Sequence, residues 1–99
     1  IAICAFVVPS EDVRQRARDT LGDTLVTVHL NAPLDVCRER DTSGLYASAE
    51  QDGLDAVPGV TQPYDNPVDP DLVLPTHEIS VDESVERLIS LLRERGALV

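Results

Sequence analysis

The chain has 99 residues, and its 18 acidic and 8 basic side chains give a formal net charge of −10. A chain this acidic repels phosphate backbones, which excludes a general nucleic-acid-binding surface or a polybasic membrane patch. The hydrophobic content of 42% is too high for a disordered acidic tail. All eight basic residues are arginines, and the sequence contains neither lysine nor methionine. Because the chain has only 99 residues, we expect at most one small folded domain.

The first predicted element is a strand. Ile1 to Val8 is a continuous apolar run rich in β-branched residues, which is typical of strands buried on both faces of a parallel sheet. Pro9 ends this run, and a helix is predicted from there to about Leu21. Ser10 offers a side-chain oxygen for the N-cap of that helix.

Two further strands and a short helix follow. The β-branched segment Thr24 to Leu30 predicts a second strand, and Leu34 to about Arg40 predicts a short helix. From Asp41 to Pro70 the regular pattern is lost among glycines and prolines, which predicts a long functional or mobile loop. Leu72 to Leu74 predicts a third strand.

The last helix has the clearest signals at both ends. Ser80 and Glu83 form a capping box, and Gly96 provides a C-terminal cap. The order of strands and helices predicts an α/β layer with parallel strands. Three strands with one amphipathic closing helix would leave a sheet edge and one face uncovered, so we expect the missing elements upstream of Ile1.

The cysteines and the hydropathy of the sequence indicate the cellular compartment. Cys4 and Cys37 show neither CxxC spacing nor a nearby histidine pair, which favours two reduced, buried thiols. No stretch approaches the ~20 apolar residues of a membrane span, and we expect no cationic signal sequence before Ile1. We expect a cytoplasmic protein without membrane contact.

Three blocks of sequence resemble one known family. They are AFVVPSEDVRQRAR (Ala5 to Arg18), APLDVCRERDTSGLY (Ala32 to Tyr46) and PGVTQPYDNPVDPDLVL (Pro58 to Leu74). In this order they resemble the second half of adenylylsulfate kinase, which uses ATP to phosphorylate the 3′-hydroxyl of adenosine 5′-phosphosulfate (APS). The resemblance implies a P-loop kinase-type three-layer parallel sheet. Residues 1–99 would be its C-terminal portion, with about three strands and flanking helices, and residues of about 41–70 would form a lid.

The resemblance also implies cofactors and partners. ATP and Mg²⁺ would be held by a G-x-x-x-x-G-K-S/T loop, which this lysine-free chain does not contain and which would lie upstream of Ile1. The 99 residues would then contribute no catalytic residue and no metal ligand. The expected partners are a small-molecule nucleotide substrate and either a second copy or fused sulfate-activation domains.

The resemblance also implies which residues of this chain contact ATP and which contact APS. The positions that the resemblance places against the nucleotide of ATP are Arg40 and Ile79. Those that it places against APS are Val7, Val8, Arg14, Arg18, Ser43, Ala56 and Val57.

The lid departs from the family pattern. Positions that are basic in the family read Ser43, Ala47, Ser48, Glu50 and Asp55 here, and Val57 replaces a stacking aromatic. A charge-assisted hydrogen bond contributes on the order of 1.5–3 kcal/mol, so several such losses predict much weaker APS binding. Two alternatives follow: a non-catalytic kinase-like module for dimerisation or regulation, or a P-loop kinase for a less anionic small molecule.

Several residues admit a second interpretation. Arg14 and Arg18 either face the phosphosulfate or form ion pairs with Glu11 or Asp12. Arg40 either lies against an adenine ring or satisfies carbonyls at a helix C-terminus.

The remaining polar and aromatic residues were expected to have structural roles. Tyr46 and Tyr64 are predicted to pack the lid rather than to touch a nucleotide. The two histidines are not expected to bind a metal. Asp69 and Asp71 are predicted to be solvated turn residues.

Overall fold

A computed structural model describes residues 1–52 and 63–98 of the chain. These residues form a small α/β unit, in which helices flank and connect two strands. In chain order the elements are α1 (Glu11–Leu21), β1 (Val28–Asn31), α2 (Leu34–Arg40), α3 (Leu45–Asp52), β2 (Leu72–Pro75) and α4 (Val81–Glu94).

β1 and β2 form a parallel pair, which confirms the predicted strand orientation. Val28 lies opposite Leu72, and Leu30 lies opposite Leu74. Helix α4 contacts β2. Leu74 has only 3% of its surface exposed and is the one buried residue among those whose burial the structure describes. The core of this small α/β unit therefore lies where β2 meets α4.

Both predicted ends of α4 are confirmed. The Ser80 hydroxyl accepts a hydrogen bond of 3.1 Å from the backbone N–H of Glu83, which is the N-cap half of a capping box. Gly96 has φ +73°, a left-handed conformation that favours glycine after a helix. The backbone N–H of Ala97 closes the end by donating to the carbonyl of Leu92 at 2.9 Å.

Helix α1 has the predicted length but a different cap. Ser10 occupies the N-cap position, yet its side chain makes no capping hydrogen bond. Instead the carboxylate of Asp65, 54 residues further along, accepts from the backbone N–H of Glu11 at 3.2 Å. A residue distant in sequence therefore supplies the acceptor that we had assigned to Ser10.

The predicted first strand is not observed. The structure assigns no strand to residues 1–8, and the side chains of Ile1, Ile3 and Phe6 are 80%, 87% and 78% exposed. Three strands therefore become two within the described residues. A strand depends on the backbone hydrogen bonds of a neighbour, and composition alone does not supply that neighbour.

The prediction of two buried thiols is wrong for the same reason. Cys4 lies in this exposed segment, and Cys37 in α2 is only partly buried. An apolar sequence context buries a thiol only where another element packs over it.

The second predicted strand begins later than expected. Residues 22–24 form a 3₁₀ turn, in which the Thr24 hydroxyl donates to the carbonyl of Leu21 at 2.6 Å. β1 starts at Val28, the first residue with a partner in β2.

One helix was missed altogether. α3 lies inside the segment that we had interpreted as a loop, whereas α2 and β2 fall where they were predicted.

Candidate functional site

The two arginines predicted to face substrate converge on one carboxylate. Arg14 Nη1 lies 2.7 Å from Glu11 Oε2, and Arg18 Nη2 contacts Glu11 Oε1. All three side chains project from α1, because residues three and seven positions apart lie on one face of a helix. Arg14 is the most enclosed, with 10% of its side chain exposed, against 29% for Arg18 and 25% for Glu11. We call Glu11, Arg14 and Arg18 the α1 charge cluster.

The cluster is electrostatically coupled. Hydrogen bonds from Arg14 and then Arg18 hold the pKa of Glu11 below its ordinary value, and the backbone N–H of Val68 adds to this effect. Glu11 is therefore ionised at neutral pH. The interpretation of Arg14 and Arg18 as ion-pair partners of Glu11 is what the structure shows, and substrate contact stays a prediction.

Arg14 also connects the end of the N-terminal segment to residues 63–71. Its Nη2 donates to the carbonyl oxygen of Val8 at 2.5 Å. Its guanidinium carbon lies 5.2 Å from the centre of the Tyr64 ring, within cation–π distance. Next to this contact, the backbone N–H of Asp65 donates to the carbonyl of Pro9 at 2.8 Å. Tyr64 thus has the packing contact expected of it.

Arg40 and Ile79, which are predicted to contact the nucleotide of ATP, both form hydrogen bonds at the turn between β2 and α4. Arg40 Nη2 donates to the carbonyl of Thr76 at 2.8 Å, and Nη1 donates to the Thr76 hydroxyl at 3.2 Å. The backbone N–H of Ile79 donates to the carbonyl of Pro75 at the start of the same loop, at 3.2 Å. The fold therefore links the end of α2 to the turn between β2 and α4.

The residues after Arg40 form a polar start for α3. The Asp41 carboxylate accepts from the Ser43 hydroxyl at 2.6 Å, from the Ser43 N–H at 2.9 Å and from the Tyr46 N–H at 3.3 Å. These bonds, led by the Ser43 hydroxyl, hold the pKa of Asp41 below its ordinary value. Partial burial raises the pKa of the Tyr46 phenol. Asp41 is therefore an acceptor for the start of α3, and the Ser43 hydroxyl also accepts from the Leu45 N–H at 3.3 Å.

The other residues that are predicted to contact APS differ in their surroundings. Val7 is 68% exposed, and Val8 contributes its carbonyl to Arg14. Ala56 and Val57 lie outside the described residues. The structure thus joins Val8, Arg14 and Arg18 in one place, and it joins Arg40 to the loop before Ile79 in another.

Comparisons with known proteins connect this geometry to a family. The adenylylsulphate kinase family model matches residues 1–75, which is most of the chain. The chain belongs to the adenylylsulphate kinase family. It is 42% identical over 96 residues to an adenylyl-sulfate kinase of Halothermothrix orenii, and 38% identical over 96 residues to one of Paraburkholderia xenovorans. It is also 43% identical over 97 residues to the bifunctional enzyme CysN/CysC of Rhodopirellula baltica.

These alignments cover 97% of this adenylylsulphate kinase family member but a smaller share of each relative. The chain spans about half the length of the two single-function kinases, 51% and 54%, and 15% of the bifunctional enzyme. In the part that the structure describes, no helix is long and apolar enough to cross a membrane. Among the same residues, no group of three or more His, Cys, Asp or Glu side chains is placed to hold a metal ion.

Sequence reasoning missed one polar network in this family member. Asp71 accepts from the Thr27 N–H at 2.7 Å and from the Thr27 hydroxyl at 3.0 Å, and Arg95 contacts its other oxygen. Partial burial opposes ionisation, but the bonds from Thr27 and Arg95 leave the pKa of Asp71 below its ordinary value. Asp71 is therefore not the solvated turn residue that was predicted. It joins β1, β2 and the C-terminal end of α4, and no local pattern could have revealed partners 44 and 24 residues away.

Proposed function

We propose that this chain is the C-terminal portion of a kinase domain that transfers a phosphoryl group from ATP to the 3′-hydroxyl of APS. The observation that carries the proposal is the family match over residues 1–75, which includes the α1 charge cluster and Arg40. Kinase, transferase and sulfate-activation roles are also supported by the names of the relatives.

The proposal extends to the sheet. The parallel β1–β2 pair supports a P-loop kinase-type three-layer sheet. Ile1, Ile3 and Phe6 are largely exposed, and exposed apolar area costs about 25 cal/mol per Å². Residues 1–8 would therefore pair as a third strand when the rest of the domain is present.

The residues of this chain do not fit the phosphates of ATP or Mg²⁺. The sequence has no lysine and hence no G-x-x-x-x-G-K-S/T loop. A P-loop in residues preceding Ile1 would have to hold both groups, and Mg²⁺ would then neutralise charge on the transferred phosphoryl group. In this proposal Arg14 and Arg18 orient the acceptor from α1, and Arg40 and Ile79 flank the nucleotide base. Such positioning accelerates the reaction without covalent chemistry by this chain.

The decisive experiment measures ADP formation by the complete protein with ATP and Mg²⁺, in the presence and absence of APS. We expect turnover that requires APS. Arg18→Gln should raise the KM for APS about tenfold, because a charge-assisted contact is lost. The matched control is Arg16→Gln, which removes an exposed arginine from the same helix and should leave the KM unchanged. APS-independent turnover, or equal effects of both variants, would contradict the proposal.

A second candidate is a non-catalytic kinase-like module that dimerises or regulates a sulfate-activation enzyme. It is favoured by the uncharged or acidic residues at positions 43, 47, 48, 50 and 55, where cations would assist APS binding. The bifunctional relative, of which this chain covers 15% of the length, supports fusion to a second domain. An absence of ATP turnover, together with a stable complex with such an enzyme or with a second copy, would favour this candidate. Turnover with a less anionic acceptor would instead indicate a retargeted small-molecule kinase.

A further inference from the structure

The α1 charge cluster has the composition of an oxyanion site. Two guanidinium groups meet at one point, and the backbone N–H of Val68 is directed to the same carboxylate. Guanidinium and amide donors in this arrangement suit the oxygens of a sulfate or phosphate group. In this structure the oxygens that they hold belong to Glu11.

The site is held in place from several sides. Arg14 is fixed by the Val8 carbonyl at 2.5 Å and stacks against the Tyr64 ring. Arg18 is steadied by Gln15, whose side-chain oxygen accepts from Arg18 Nε at 3.2 Å. The two cations are therefore preorganised, and a ligand that replaced the Glu11 carboxylate would not have to order them.

We propose that Glu11 is a specificity-determining residue, an internal counter-ion that occupies Arg14 and Arg18 and that an incoming sulfate or phosphate group must displace. This inference rests on the proposed function, because it concerns the acceptor side of that kinase site. Glu11 lowers the affinity for multiply charged acceptors in two ways. It takes up the donors, and its own charge repels the ligand.

Glu11 keeps this role across the neutral range. Its depressed pKa means that protonation releases the arginines only in acid. Removing the carboxylate charge by mutation is therefore the direct way to open the site.

The test uses the complete protein and inorganic sulfate as the probe. Glu11→Gln keeps the size of the side chain but removes its charge, and it should lower the Kd for sulfate about tenfold and lower the KM for APS in the same direction. The matched control is Asp12→Asn, which removes the same charge from the neighbouring exposed position and should leave both constants unchanged. Adding Arg18→Gln to Glu11→Gln should abolish the gain, which locates the sulfate at the cluster. A circular dichroism spectrum checks that α1 is retained.

The outcomes separate the two proposals. If the wild-type protein turns over APS but Glu11→Gln changes neither constant, or if Asp12→Asn gives an equal gain, the role of Glu11 is overturned and the kinase proposal stands. If sulfate affinity rises only in Glu11→Gln while no variant turns over APS, Glu11 is an internal counter-ion in a protein that is not an APS kinase.

Discussion

The two ends of the 41–70 segment are attached to the body of the protein in different ways. At the first end, Asp41 bonds to Ser43 and Tyr46, two and five residues away, and its partners lie largely at the surface. At the second end, Asp65 bonds to residues 54 and 56 positions away at the start of α1, and Asp71 bonds across 44 residues to Thr27. The first end is thus a local turn, whereas the second end holds separate elements together.

This difference predicts where the fold is vulnerable. A long-range bond orders chain segments that would otherwise be far apart, so its loss should be felt beyond its own residue. A local bond mainly sets the direction of the chain at one point. Substitutions at the second end should therefore cost more stability than substitutions at the first.

The largest effect is expected for Asp71→Asn. The variant removes the charge that pairs with Arg95 and weakens the bonds from Thr27, and it should lower the free energy of unfolding of the complete protein by about 1–2 kcal/mol. Asp69→Asn is the matched control, because it removes the same charge two residues away. Asparagine also tolerates the φ of +49° at position 69. Denaturant unfolding of both variants measures the difference, and equal losses would contradict a specific role for Asp71.

The pH dependence of stability sharpens the same prediction. Because the pKa of Asp71 is lower in the folded state, its contribution is present at neutral pH and is lost as the pH falls through the folded-state value. The difference in unfolding free energy between wild type and Asp71→Asn should therefore shrink in acid. A difference that stayed constant down to strongly acidic pH would show that the carboxylate charge is not involved.

An intermediate effect is expected for Asp65→Ala. This variant removes the acceptor for the Glu11 N–H at the start of α1, and loss of a helix cap costs about 1 kcal/mol. Asp65→Asn keeps a side-chain oxygen and should recover most of the stability. Unfolding of the two variants in denaturant provides the comparison, and a loss of equal size in both would mean that charge, rather than capping, matters at this position.

The smallest effect on global stability is expected for Asp41→Ala. Its bonds are local, so the main result should be faster hydrogen exchange of the Ser43 and Tyr46 amides. Thr42→Ala, at the exposed position between Asp41 and Ser43, should leave both exchange rates unchanged. If Asp41→Ala instead unfolded the protein as readily as Asp71→Asn, the contrast between the two ends would be wrong.

The sequence by itself determined the elements that depend on local chemistry. The capping box and glycine stop of α4, the short helix α2, and the helical span of α1 all follow from residues within a few positions of one another. The matched blocks also identified the family and drew attention to Arg14, Arg18 and Arg40.

Only the tertiary structure decided which distant charges meet. The ion pairs of Arg14 and Arg18 with Glu11 lie within α1 at helical spacing, whereas Arg95 meets Asp71 across 24 residues. Asp65 replaced Ser10 as the cap of α1, and Asp71 became a link between strands and helix. Local propensity sets helices and turns through neighbouring residues, but long-range ion pairs, long-range caps and strand partners depend on residues that the folded chain brings together.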